Sequence, residues 1–144
     1  MDFGNHPEMV TISSHYQGGL RCSSTHGPSG VTLLTDAPVD NHGKGESFSP
    51  TDLVATAVAN CMMTVMAIAA ERHGIDLKGA SVTIGKEMSP DAPRRIVGLK
   101  SVMTLPLPAD HPQRALLEAS ALSCPVKKSI SPEIDTSVEF RWVG

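Results

Sequence analysis

"SFSPTDLVATAVANCMMTVMAIAAERHG", residues 47–74, decides the reading of this chain. Ser49 offers an N-cap. Pro50 suits the first helical position, where its missing N–H has no partner to lose, and Asp52 places an acid in the first turn. Gly74 supplies a stop. The pattern predicts one helix running to about Arg72 or His73. Its middle, Leu53–Ala70, holds 18 residues without a charge. That is barely enough to cross a bilayer, and Thr56, Asn60 and Thr64 interrupt a run dominated by weakly apolar alanine. The stretch reads instead as a core helix buried on nearly all sides. One small domain cannot cover such a helix alone, so a two-fold homodimer is expected.

Cys61 lies at the middle of this helix, on the face of Ala57, Val58, Thr64, Val65 and Ile68. A cysteine among apolar neighbours is ordinarily an inert filler. To react it needs a cation or a hydrogen-bond donor brought from elsewhere in the fold.

Upstream, "MVTISSHYQGGLRCSSTHGPSGVTLLTDAP" (residues 9–38) alternates short β-branched runs with Gly18-Gly19 and Gly27–Gly30, which predicts three short strands joined by tight turns. "APVDNHGKGES" (37–47) is a polar, glycine-rich loop that lacks the GxxxxGK[ST] spacing of a phosphate loop. Downstream, residues 76–90 and 94–108 read as two strands of a hairpin turning at Ser89–Pro93. "DHPQRALLEASALSC" (110–124) reads as an amphipathic helix with Leu116, Leu117 and Leu122 toward the core. A last strand in "EIDTSVEFRWV" (133–143) places Val138, Phe140 and Trp142 on one face. The order of strands, long helix, strand pair, helices and strand predicts a single α+β domain over residues 1–144.

The chain has a net charge of −3, a pI near 6.0 and 3 % aromatic residues, so the core must come from Val, Ile, Leu, Ala and the seven methionines. No basic tract points to nucleic acid and no polybasic tail to a membrane surface. "MDFGNHPEMV" (1–10) has neither a basic region nor an apolar run, so it does not read as a signal peptide, and a cytoplasmic setting with reduced thiols is expected. The histidines His6, His15, His26, His42, His73 and His111 form no HxxxH or HExxH spacing, so neither a metal nor another cofactor is expected.

"ALSCPVKKSI" (121–130) holds a second cysteine of interest. Pro125 marks a helix start, which puts Cys124 at a helix N-terminus, where exposed N–H groups stabilise a thiolate. Lys127 and Lys128 add positive charge nearby, most simply as a solvated helix face. Cys22 lies in a predicted strand and reads as structural.

Ser47–Leu77 and "SCPVKKSI" (123–130), whose cysteine follows Cys61 by 63 residues, together resemble the OsmC/Ohr family. Residues 27–54 are similar to its OsmC-like branch, with a longer loop before the helix. The resemblance runs from about Thr11 to Val143. It implies an intertwined homodimer of curved antiparallel sheets around long central helices. It also implies a thiol peroxidase that reduces organic hydroperoxides, with Cys61 as the peroxidatic and Cys124 as the resolving cysteine. A sulfenic acid on Cys61 would condense with Cys124 to a disulfide, and a dithiol such as a lipoylated protein would reset the pair. The best-characterised members carry a glutamate ten residues before the peroxidatic cysteine. This chain has Thr51 there, next to Asp52, and no arginine between Cys22 and Glu71. Arg21 is therefore the candidate activating cation, Lys44 the other basic candidate, and Glu46 the candidate carboxylate. The alternative reading is a non-enzymatic binder of a small apolar or oxidised ligand in the same dimer-interface pocket.

Overall fold

A reciprocal pair of hydrogen bonds starts the long helix. In the computed structural model, which describes residues 1–3 and 9–144 and so leaves His6 outside, the Ser49 N–H donates to Asp52 Oδ2 at 2.8 Å. The Asp52 N–H donates back to Ser49 Oγ at 3.1 Å. These bonds satisfy groups that no helix can satisfy internally at its first turn. The helix, α1, spans Pro50–Glu71. It ends a residue short of the expected limit. Gly74 follows at φ 68, a left-handed conformation glycine adopts without a Cβ clash.

The chain divides into two compact units, Met1–Leu53 and Val54–Gly144. The first holds the three expected strands, β1 (Ile12–Gly18), β2 (Arg21–His26) and β3 (Thr32–Asp36), as an antiparallel sheet in that order. Gly18 and Gly19 make the first turn at φ 79 and 62. The second turn closes with mutual bonds of 2.8 Å between His26 and its turn partners: the His26 N–H donates to the Val31 carbonyl and the Gly30 N–H to the His26 carbonyl.

The second unit holds β4 (Ser81–Met88), β5 (Ile96–Leu105), α2 (Arg114–Leu122), α3 (Pro125–Ser129) and β6 (Val138–Trp142). β4 and β5 form the expected antiparallel hairpin. β6 pairs with β5 in parallel, from Ser101 opposite Val138 to Leu105 opposite Trp142. This sheet is therefore mixed, where an antiparallel one was expected. The chain leaves the end of β5, returns through α2 and α3, and must enter β6 in the same direction as β5.

The core of this unit is fully buried at Val58, Met62, Met66 and Ala70 of α1, at Leu99, Met103 and Leu105 of β5, at Leu117 and Ala121 of α2, and at Cys124. Val138, Phe140 and Trp142 pack against it from one face of β6, as their alternation predicts. The indole N–H of Trp142 donates to Glu118 at 2.8 Å, and Arg114 both bonds Glu118 and lies over the Trp142 ring, which ties α2 to β6.

One expectation about buried faces needs correction. On α2 the core positions are Leu117 and Ala121, spaced i and i+4, while Leu116 and Leu122 lie off that line and are about two-fifths exposed. α1 buries one face within the chain, and Ala57, Asn60, Thr64 and Ile68 form a stripe that the single chain leaves exposed. A helix laid against one sheet buries the side chains that point at it and no others.

Leu117→Ala should lower stability by about 2–5 kcal/mol, because it leaves a cavity in a closed core, whereas Leu116→Ala should cost less than about 1 kcal/mol. Urea denaturation midpoints of the two variants measure the difference.

Candidate active site

Two local structures bring the two cysteines together. α1 carries Cys61, half-buried, on its inner flank. Between α2 and α3 the chain turns at Ser123 and Cys124. Cys124 is extended (φ −61, ψ 142), the backbone that a residue before proline prefers. Pro125 then opens α3, and Cys124 becomes its N-cap, with Sγ accepting the Lys127 N–H at 3.4 Å. The Cys124 carbonyl accepts the Lys128 N–H at 3.3 Å.

Cys61 packs against the apolar cluster that contains Cys124, close enough to act on the Cys124 thiol. Both are free thiols. Burial pushes the Cys124 thiol up from its ordinary value, the Lys127 N–H opposes this, and the neighbouring Cys61 reinforces it. Methionines 62, 66 and 103 and Leu99 belong to the same apolar cluster as Cys124.

In the first unit Arg21 is gripped by carboxylates. Its Nε and Nη2 donate to the two oxygens of Asp36 at 2.7 and 2.9 Å, and Nη2 donates also to Glu46 at 3.1 Å. Asp36 is 1 % exposed at its side chain, against 62 % for Glu46. Asp36 also accepts the Glu46 N–H at 3.1 Å, so one carboxylate organises both partners. The bidentate Arg21 contact holds the Asp36 carboxyl below its ordinary value in spite of burial, and Arg21 is raised in return. Lys44 adds a weaker attraction to Asp36.

Glu46, in the loop before α1, thus meets Arg21. Asp36 was missed. It stands opposite Arg21 in the β2–β3 register, and the available signal was an acid ending the apolar strand "TLLTD". Thr51 and Asp52 serve the start of α1: Thr51 Oγ1 lies 3.2 Å from Ser49 Oγ, and Asp52 closes the cap. Cys22 pairs across the sheet with Tyr16 and Thr35 and is half-buried there. Among the described residues, no three His, Cys, Asp or Glu side chains are grouped to hold a metal ion.

The model of the family described as OsmC-like protein matches residues 43–139. The chain is 42 % identical to a protein of Psychrobacter arcticus 273-4 provisionally named as an osmotic stress induced and detoxification response protein. That match covers 94 % of this chain and 98 % of the other, with a TM-score of 0.87. The fold recurs in an organic hydroperoxide resistance protein OsmC of Legionella pneumophila, at 18 % identity, 95 % and 99 % coverage and a TM-score of 0.73. It recurs again in an OsmC-like protein of Mycoplasma pneumoniae, at 10 % identity, 96 % and 100 % coverage and a TM-score of 0.76. No protein of curated function matches the chain.

The lowered Asp36 value fixes the sign of a pH effect. Its contribution to stability is complete above the ordinary carboxylate value of about 3.9 and is lost as pH falls through the lower folded value. The stability gap between the protein and Asp36→Asn should therefore be full above about pH 5 and shrink below about pH 4. Denaturation midpoints across that range measure it.

Proposed function

This chain belongs to the OsmC-like protein family, and on that footing we propose that it is a cysteine-based peroxidase that reduces organic hydroperoxides. The observation that carries the proposal is the proximity of Cys61 and Cys124, two free thiols far apart in sequence. The hydroperoxide-resistance name of the structural relative from Legionella pneumophila agrees with the substrate class.

In this reading the Cys61 thiolate attacks the O–O bond of the hydroperoxide. An S–O bond forms, the O–O bond breaks, and the leaving alkoxide takes a proton to become an alcohol. Cys61 is left as a sulfenic acid. The Cys124 sulfur then displaces the sulfenic oxygen, which departs as water, and a Cys61–Cys124 disulfide remains. A dithiol reductant, a lipoylated protein in the family resemblance, returns both thiols by exchange and is itself oxidised to a disulfide.

Arg21 is the cation we assign to this chemistry. Its guanidinium stays charged at all working pH values and can donate to a thiolate or a peroxide oxygen. The proposal includes a two-fold homodimer. Support for it lies in the apolar surface a single chain leaves open: Ile68 on α1 is 47 % exposed, and Ile12, Tyr16 and Val31 of the first unit are each more than 60 % exposed.

Consumption of cumene hydroperoxide with dihydrolipoamide as reductant is the test. The protein should turn over, Cys61→Ser should not, and Cys124→Ser should stop at an over-oxidised Cys61. Arg21→Ala should slow the reaction about tenfold to a hundredfold, the value of one charge-assisted hydrogen bond. A wild-type protein that consumes no hydroperoxide overturns the proposal and leaves a ligand-binding role for the same fold.

A further inference from the structure

Cys124 is held by more than its contact with Cys61. Its sulfur accepts the Lys127 N–H at 3.4 Å. The Lys127 side chain is half-buried and tethered, because its ammonium donates to the Thr136 carbonyl at 3.5 Å, across from α3 to the segment before β6. Lys128, the next residue, is exposed. One of the two lysines is thus a fixed part of the interior edge, and only the other is a solvated face.

We propose that Lys127 is a positioning residue for disulfide formation, holding the Cys124 sulfur ready to attack Cys61 once Cys61 has been oxidised. The inference rests on the peroxidase reading above and adds to it the group that governs its second step.

The order of events follows from the charges around the sulfur. Burial and Cys61 push the Cys124 thiol up, while the Lys127 amide and ammonium push it down. As long as Cys61 is a thiolate, a second anion beside it is strongly disfavoured. Cys124 therefore keeps its proton while Cys61 awaits peroxide. When Cys61 becomes a sulfenic acid it is neutral, and the like-charge repulsion disappears. Burial is then opposed by Lys127 alone on α3, with no anion facing it from α1. The Cys124 proton leaves, its sulfur bonds to the Cys61 sulfur, the Cys61 S–O bond breaks, and the departing hydroxide takes a proton to leave as water. Cys124 is oxidised and the sulfenic sulfur reduced to the level of the disulfide, so no further reactant is needed.

Removing the ammonium lowers the thiolate fraction of Cys124. For a tenfold loss of thiolate, the higher basicity returns about threefold in nucleophilicity, so resolution slows about threefold. A slower resolution leaves the sulfenic acid exposed to a second peroxide molecule and to conversion into sulfinic acid.

The test uses the reduced full-length protein with excess cumene hydroperoxide and no reductant. Mass spectrometry then gives the ratio of Cys61 sulfinic acid to Cys61–Cys124 disulfide. Lys127→Met keeps the backbone amide and the apolar stem, and it should raise this ratio about threefold while the first oxidation of Cys61 proceeds at its usual rate. Lys127→Arg should restore the wild-type ratio, Lys128→Met should leave it unchanged, and raising the pH should erase the Lys127→Met defect. A ratio in Lys127→Met equal to wild type, a defect that neither arginine nor pH corrects, or an equal rise in Lys128→Met overturns the inference. A wild-type protein that forms no Cys61–Cys124 disulfide overturns the peroxidase reading beneath it.

Discussion

The meeting of Cys61 and Cys124 is the constraint on which the larger part of this chain depends. For it to exist, the midpoint of a 22-residue helix must meet the N-cap of a five-residue one. Pro125 makes that meeting possible. It forces Cys124 out of helical geometry, ends the α2 segment and starts α3 in one step, so the sulfur becomes a cap instead of a side chain on a helix face. The core around the pair is built from small and adaptable residues. Ala55, Ala59, Ala70 and Ala121 let backbones approach, and Met62, Met66 and Met103 fill the irregular space left over. A core of aromatic residues would have been more rigid, but it would have left less freedom to place two sulfur atoms side by side.

A second constraint operates in the first unit. A guanidinium with an almost fully buried partner needs that partner's charge, because removing either half strands the other in a poor environment. Asp36 meets Arg21 with two parallel hydrogen bonds, and Glu46 adds a third from an exposed position. The carboxylate at the end of β3 holds the arginine while Thr51 is engaged at the helix start. The guanidinium geometry is set by a strand neighbour in register, and a strand is a stiffer support than a loop.

The elements that could be read in the sequence are those whose causes are local. The start of α1 was legible because Ser49, Pro50 and Asp52 act within one turn. The capping position of Cys124 was legible because Pro125 is its immediate neighbour. The first three strands followed from their glycine turns. What could not be read depends on distant partners. The parallel pairing of β6 is decided by the route through α2 and α3, and Asp36 becomes important only when β3 lies beside β2. Leucine count favoured Leu116 and Leu122 equally with Leu117, and only docking of α2 through Trp142 and Glu118 selects among them. Cys61 and Cys124 were linked in the sequence only by resemblance to a family, since nothing in a separation of 63 residues dictates contact.

The proposed chemistry needs the two thiols to act as one unit. Its most direct measurement is the number and identity of thiols lost when the reduced protein meets one equivalent of organic hydroperoxide, read by alkylation and peptide mapping without reduction. Two thiols per chain should be lost and a single cross-linked peptide should join Cys61 to Cys124, with Cys22 still free. Loss of Cys22 in place of either, or the persistence of all three thiols, would contradict it.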